Sequence, residues 1–551
     1  MSETMSAKHP GVVQIEALRA ELEQERFPES LGALVREAAE RHGDRVLGNW
    51  FEEGTSLTYR GLDEAADRLA GSLVRLGVRK GTHVAVMLPN VPAFPITWVA
   101  LGRIGAVMIP VNVAYTADEL NFVLTDSDSQ FLVIDESLLE TLYAIPERPP
   151  LVEDARVVVH GGARAGHAHW QALFEAGRLP FEAPSAVSRH DLLNIQYTSG
   201  TTGFPKGCML SHDYWVLIGT YAARFRARDG NIRNTLIWAP FFYMDPQWQF
   251  LMTMNLGATA HVARRMSLSR FYDWLERFEI NYCIFPEPAL KARAPSEADK
   301  RLRLTYVSIY GWRKESRREV MERFGCTARE GYGMTEIGGA SIVPVAAEDK
   351  ALVPTCGLAG PFRQLKIMDE AEEEVTEPEA TGELWVTGRS ILFGYYKRPE
   401  ANAESFRGRW FRTGDLFKRD AEGYYYIVGR IKDMVRRAGE NIAAREVEAA
   451  ICTLEAVAEA AVVPVPDELR REEVKAYLLL REGMTPEDCP PERVIAHCQA
   501  HLAAFKVPRY IAYMSEDFPR TPSRKIQKKV LVGGVEDLRL GAYDREEGLW
   551  R

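Results

Sequence analysis

The densest chemistry in this 551-residue chain lies in Tyr197-Thr198-Ser199-Gly200-Thr201-Thr202-Gly203-Phe204-Pro205-Lys206-Gly207, a run of hydroxyls and glycines that ends in a lysine. Between Tyr197 and Phe204 there is no large side chain. Glycines let a backbone curl so that several N–H groups point into one concavity, an anion nest. Thr198, Ser199, Thr201 and Thr202 add short hydroxyl donors, Gly200 and Gly203 add freedom to turn, and Lys206 adds a full positive charge. That combination suits a polyphosphate. It is not the G-x-x-x-x-G-K-[ST] pattern, because the lysine follows Pro205 and precedes Gly207.

A loop of this kind needs a rigid scaffold, and the flanking sequence supplies one. Residues 192–197 read as a strand leading into it. Further upstream, Leu62, Ala65, Ala66, Leu69, Ala70 and Leu73 recur at helical spacing, and Gly77 is placed to end that helix. Residues 83–88 read as a buried strand, 92–103 as an apolar helix and 107–110 as the next strand; another cycle ends at 131–135. Strand, helix and strand at this spacing make βαβ units, so an α/β fold with a largely parallel sheet is expected. No repeat at solenoid spacing is present, and the acidic stretch 370–380 reads as a solvated turn. After Gly429-Arg430 the pattern becomes α+β: a helix near 445–454, strands near 460–465 and 474–480, a helix near 491–505, and a basic tail at 525–529. About 120 residues is a normal size for a small domain.

Three further segments follow the loop: Gly331-Tyr332-Gly333-Met334-Thr335-Glu336, Trp410-Phe411-Arg412-Thr413-Gly414-Asp415 and Gly429-Arg430-Ile431-Lys432-Asp433. A fourth, Pro519-Arg520-Thr521-Pro522-Ser523-Arg524-Lys525-Ile526, lies near the C-terminus. Together and in this order they resemble the adenylate-forming superfamily, which includes acyl-CoA synthetases, peptide-synthetase adenylation domains and firefly luciferase. The resemblance runs over about residues 30 to 530. It implies a large N-terminal multi-sheet α/β domain over 1–430 and a small mobile α+β C-terminal domain over 431–551, turning about a hinge at Lys432. It also implies that a carboxylate attacks the α-phosphate of ATP, giving an acyl-adenylate and pyrophosphate.

Attacker and target are both anionic, so such chemistry rests on charge neutralisation and positioning. The resemblance assigns Lys206 and the backbone of Ser199 to Gly203 to the β- and γ-phosphates, and Glu336 to Mg²⁺, a metal suited by one carboxylate with phosphate oxygens and water. By the same resemblance Lys525 is expected to reach the α-phosphate and the incoming carboxylate, and Thr335 to contact the α-phosphate. It likewise implies that Asp415 would take the two ribose hydroxyls, that Arg430 would add a donor, and that Tyr332 would stack on adenine with Gly331 and Gly333 allowing close approach.

The acyl acceptor expected from the resemblance is coenzyme A, since no carrier-like segment follows. Ala438-Gly439-Glu440-Asn441 resembles the loop that meets the pantetheine arm, with Ala438 where a glycine is common. Arg524 likewise replaces the glycine that normally precedes the catalytic lysine. Residues 238–248 are expected to set specificity: Trp238, Phe241, Tyr243 (where the family usually has histidine) and Trp248, with Phe285, suit a large apolar or alicyclic acid or serve as sheet core. The surrounding sequence is also reminiscent of crotonobetaine/carnitine-CoA ligases, in which rings could receive a quaternary ammonium. Tyr310-Gly311-Trp312 occupies the place of a small-residue segment bordering the adenine and acyl pockets. Transfer to a carrier protein, and a degenerate nucleotide- or acyl-binding protein without turnover, stand as alternatives. A homodimer is left open.

Bulk properties agree. The chain is long enough for two or more domains. Net charge is -9, from 68 Lys+Arg against 77 Asp+Glu, which gives no basic footprint for nucleic acid. Seven scattered cysteines without a C-x-x-C pair favour reduced thiols in a cytoplasmic setting. Residues 1–10 are polar, without an apolar signal core. The longest apolar run, 98–113, is interrupted by Arg103, so no membrane span is expected.

Overall fold

The βαβ pattern closes into a seven-stranded sheet in the order Ala168–His169, Val157–His160, Phe131–Asp135, His83–Met87, Val107–Pro110, Leu192–Thr198 and Lys206–Ser211. The structure is a computed structural model that describes residues 8–198, 205–227, 231–437, 440–520 and 526–551, with Lys432, Glu440 and Asn441 described by backbone alone. Its pairs are parallel except the last, where Leu192–Thr198 runs antiparallel to Lys206–Ser211. The strands expected at 83–88, 107–110, 131–135 and 192–197 all form, their central residues buried as in a covered parallel sheet. Helix Tyr59–Leu76 ends at Gly77, whose φ of 115° closes it in a left-handed cap. Helix Ala93–Ile104 is buried throughout, Arg103 included. A cation can lie there because Asp63 and Asp67 of Tyr59–Leu76 both pair with it.

A second seven-stranded sheet has the order Thr327–Arg329, Tyr306–Ser308, Tyr282–Ile284, Asn234–Ile237, Thr259–Val262, Val46–Trp50 and Thr55–Thr58, parallel but for the Val46–Trp50/Thr55–Thr58 hairpin. Beyond its first strand the chain forms a small antiparallel sheet of Gly331–Met334, Gly338–Ile342 and Leu358–Ala359.

The described residues fall into two compact units, one drawn from residues up to 365 and from 386–411, the other from 366–385 and 412–551. Within the second, strands Glu440–Ala443, Met434–Arg437, Arg471–Leu480, Tyr510–Tyr513, Tyr543–Asp544 and Leu549–Trp550 form one sheet, with Val457–Asp467 paired along Arg471–Leu480. Helices Ala444–Ile451 and Pro491–His501 bury Val447, Ile451, Val494 and Cys498 in the core of this unit. The chain is thus mixed α/β, with a large N-terminal multi-sheet part and a smaller C-terminal α+β part. No helix among the described residues is long and apolar enough to cross a membrane.

Candidate functional site

In the second sheet Leu236, Cys283, Val307 and Ala328 share one row of register. Two residues further on, the four strands deliver Trp238, Phe285, Ile309 and Glu330; Gly311, Trp312 and Gly331 follow. Candidates read from separate segments therefore converge on the carboxyl edge of one parallel sheet, where open α/β folds bind ligands.

The phosphate-loop candidate is carried by the antiparallel hairpin of the first sheet, with Thr198 opposite Lys206. Ser199, Gly200, Thr201, Thr202 and Gly203 lie outside the described residues. At Gly207 a Cβ would stand 2.5 Å from Ile195 Cγ2, so the position needs glycine. Segment 393–396 adds to the open edge: Phe393 N donates to Met209 O (2.9 Å), Met209 N to Gly394 O (3.0 Å) and Tyr396 N to Gly207 O (2.9 Å). This sets the Lys206 ammonium 4.7 Å from the centre of the Tyr395 ring. The Tyr395 hydroxyl in turn donates to Glu336 Oε1 at 2.9 Å, and Glu336 is only 6% exposed. Burial, and then the Glu336 charge, push the Tyr395 phenol far up, so it stays an O–H donor at any working pH. Tyr395 was not among the sequence candidates; the run Gly394-Tyr395-Tyr396-Lys397-Arg398-Pro399, hydroxyls and cations between a glycine and a proline, is the signal that marks it.

Glu336 owes its place to a second hairpin. Gly331 pairs with Ile342, Tyr332 with Ser341 and Met334 with Gly338. Ile337 N donates to Met334 O at 3.1 Å, which puts Thr335 and Glu336 at the turn. Tyr214 donates its hydroxyl to Thr335 O at 3.0 Å, and Leu392 N donates to Glu336 O at 2.8 Å, so the turn is braced from two sides. The glycines answer to the partner strand: a Cβ on Gly331 would stand 2.8 Å from Ser341 O, and one on Gly333 2.5 Å from Gly338 O. Tyr332 is half-buried, its hydroxyl 3.7 Å from Met334 Sδ. A buried carboxylate at a braced turn, one oxygen held by a phenol, suits a hard divalent cation that takes oxygen ligands.

Segment 238–243 is fixed by buried amides that sequence reading passed over. Asn90 accepts from Phe241 N (2.8 Å) and donates to Ala239 O (2.9 Å). Gln196, on the strand that enters the loop, donates to Phe242 O (2.6 Å), and Gln247 donates to Phe241 O (2.8 Å). Phe241 itself stacks on Phe94 in the core, fully buried. Phe285 packs edge-on to Phe271 and Trp312, also in the core. Trp238 is half-buried and donates to Ile284 O at 2.7 Å. Tyr243 is half-buried with its phenol raised by burial. Gly311, at φ 70°, donates its N–H to Glu330 Oε1 at 2.7 Å, and the other Glu330 oxygen pairs with buried Arg317, whose Nε donates to Trp312 O. Phe241, Phe285 and Trp312 thus back the edge, whereas Trp248 meets Arg226 at 5.0 Å and donates to Asp245 Oδ1 at 2.9 Å.

In the second unit, strand Trp410–Arg419 pairs with Tyr425–Arg430 so that Asp415 lies opposite Arg430. Gly414, at φ 70°, turns the chain there and donates to Glu383 Oε1 at 3.1 Å. Asp415 is 3% exposed, and Arg430 Nε stands 3.0 Å from its Oδ1, so the guanidinium faces the carboxylate. Lys432 sits in the short turn Ile431–Asp433 directly after this strand. Strands Met434–Arg437 and Glu440–Ala443 pair with Arg437 opposite Glu440; Ala438 and Gly439 between them, like Arg524 and Lys525, lie outside the described residues.

The comparisons with known proteins point the same way. The family model of AMP-binding enzymes matches residues 35–396, and that of the AMP-binding enzyme C-terminal domain matches 446–525. A crotonobetaine/carnitine–CoA ligase of Salmonella agona (strain SL483) is 30% identical over 490 residues, 86% of this chain and 93% of the relative. Among solved structures, ATP-bound MatB from Rhodopseudomonas palustris superposes with a TM-score of 0.80 at 25% identity, over 91% of this chain and 98% of that one. The anthranilate CoA ligase AuaEII, in complex with anthranoyl-AMP, shares the fold with a TM-score of 0.82 at 21% identity, over 92% and 98%. The chain belongs to the AMP-binding enzyme family of the adenylate-forming superfamily, and is an AMP-forming ligase.

Proposed function

We propose that the protein is an ATP-dependent carboxylic acid–CoA ligase. The carboxylate oxygen attacks the α-phosphorus of ATP and the bond to pyrophosphate breaks. The thiol sulfur of coenzyme A then attacks the acyl carbon, and AMP leaves with the electron pair of the mixed-anhydride bond. The observation that supports this reading is the linked set Lys206, Tyr395 and Glu336, a cation and a buried acid placed at the phosphate-loop hairpin and tied by one phenol. In this reading Lys206 holds the β- and γ-phosphates, Thr335 the α-phosphate and Tyr332 the adenine; Asp415, flanked by Arg430, takes the ribose. Mg²⁺ held at Glu336 would screen charge among the phosphates. Lys525 neutralises the α-phosphate as the carboxylate arrives, Ala438 and Gly439 meet the pantetheine arm, and Lys432 is the hinge of a mobile domain over 431–551. No disulfide joins any two of the seven cysteines, and six of them are buried, which suits a cytoplasmic protein.

The test is carboxylate-dependent pyrophosphate release with and without coenzyme A. Release that yields thioester supports the ligase. Release that stops at bound acyl-adenylate, with transfer to a phosphopantetheinylated carrier, replaces coenzyme A by a carrier. ATP binding without ATP–pyrophosphate exchange, whatever the acid, leaves a binding protein.

A further inference from the structure

Arg226 is the last residue of helix His212–Arg226. Its guanidinium carbon lies 5.0 Å from the ring centre of Trp248, 5.7 Å from that of Tyr282 and 5.8 Å from that of Tyr306. Nε donates to Ser308 Oγ at 3.2 Å and Nη1 to Ala222 O at 3.3 Å. The side chain is half-buried, and among the described residues no carboxylate lies within ion-pair distance of it. The titratable groups around it are the phenols of Tyr221, Tyr282, Tyr306 and Tyr310. Withdrawing a cation from water without a counter-anion is costly. Ring faces, one hydroxyl and the helix C-terminus offset part of that cost.

The residues around Arg226 come from the segments that frame the proposed acyl site. Trp248 stands on helix Met244–Leu256, directly after Tyr243. Ser308 ends strand Tyr306–Ser308, just before Tyr310-Gly311-Trp312. This wall is open: Tyr310 is 45% exposed, and Asp245, the carboxylate held by Trp248, is exposed as well. The helix also relates Arg226 to the chemistry. The Tyr214 hydroxyl donates to Thr335 O, and the Tyr221 hydroxyl meets Gly339, where a Cβ would lie 1.5 Å from it. Arg226 lies five residues beyond Tyr221, about 7.5 Å of helix rise. With the reacting carboxylate placed by the Thr335–Glu336 turn, as the ligase reading has it, an acid that extends along this helix would end at the guanidinium.

We infer that Arg226 reads a second anionic group on the acid, so that the substrate class is a diacid or an acid with a distal anion. This rests on the ligase reading. The same geometry argues against a trimethylammonium acid: the faces of Trp248, Tyr282 and Tyr306 already carry a guanidinium, and a second cation would be repelled from it.

The experiment is calorimetric binding, with a non-hydrolysable ATP analogue present, of adipic, suberic and sebacic acids against hexanoic, octanoic and decanoic acids and γ-butyrobetaine. Wild type, Arg226→Gln and Arg226→Lys are compared, with Tm as the check of folding. The expected result is a preference of wild type for diacids by roughly tenfold, as a charge-assisted pair gives, erased by Arg226→Gln and partly kept by Arg226→Lys. Equal binding of mono- and diacids by wild type, absence of diacid binding, a preference that survives Arg226→Gln, or tighter binding of γ-butyrobetaine overturns it. If Arg226→Gln does not fold, the wild-type order and Arg226→Lys decide. Pyrophosphate release on the same panel separates the two readings. Diacid binding without release keeps Arg226 and sinks the ligase, whereas release that favours monoacids keeps the ligase and sinks Arg226.

Discussion

The two ends of helix His212–Arg226 handle charge in opposite ways. At its start, Ser211 caps the helix by accepting from Tyr214 N, and Tyr214 reaches the turn that carries Glu336. There the acid has the Tyr395 phenol, and that ring has Lys206 over its face. At its end, Arg226 has rings, a hydroxyl and a carbonyl, but no acid within ion-pair reach among the described residues. In the proposed reading the first arrangement is preorganised for charge that every turnover would bring, phosphate and metal. The second leaves a charge for a group that only the right acid supplies. Activation and selection are thus built with different amounts of internal compensation.

The contrast breaks most visibly at the first end. Glu336→Gln keeps the shape and the hydrogen bond to Tyr395 but removes the charge that would hold the metal. We expect pyrophosphate release to fall roughly a thousandfold, in line with loss of a preorganised charge contact, with Tm little altered. A variant that stays within tenfold of wild type at saturating Mg²⁺ would remove Glu336 from the metal site. Tyr395→Phe is the sharper probe. It keeps the ring under Lys206 and deletes only the hydroxyl on the carboxylate. A hydrogen bond to a charged group is worth about 1.5–3 kcal/mol, so a fall of roughly ten- to a hundredfold is expected, with a changed Mg²⁺ requirement. An unchanged Mg²⁺ titration would reduce Tyr395 to packing.

The same contrast explains what could be read in advance. Gly331 to Glu336 was legible because a hairpin and its turn write their needs into six adjacent residues, and the partner strand's carbonyls give Gly331 and Gly333 a further reason that the sequence did not show. The parallel strands were legible from apolar runs, and Gly77 from its place after a helix. Tyr395 and Arg226 were not singled out, since each acquires meaning from partners far along the chain: Glu336 for one; Trp248, Tyr282 and Tyr306 for the other. The rings proposed from the 238–248 segment divide for the same reason. Periodicity cannot tell Phe241, stacked on Phe94 in the core, from Trp248, which faces a cation.

The smallest expected effect concerns His212, the first residue of the helix. It is fully buried, Leu31 N donates to its Nδ1 at 3.1 Å, and burial pushes its pKa down to about 4. A helix start also disfavours a cation, just as the helix end tolerates Arg226. In the unfolded chain an imidazole titrates near about 6.5. Above that value both states are neutral and the group contributes no pH dependence. As pH falls through it, the unfolded chain takes up a proton that the fold refuses, so stability declines down to about pH 4. Between about pH 7 and 5.5 the loss is about 1 kcal/mol per such histidine. His261, also lowered to about 4 by burial, adds a similar slope. His42, which burial also lowers, adds to the slope in both proteins, so urea midpoints should drop over that range by more in wild type than in His212→Asn. Equal slopes in the two proteins would mean that the helix start accepts a proton after all, and the asymmetry between the two ends would then lie in the side chains alone.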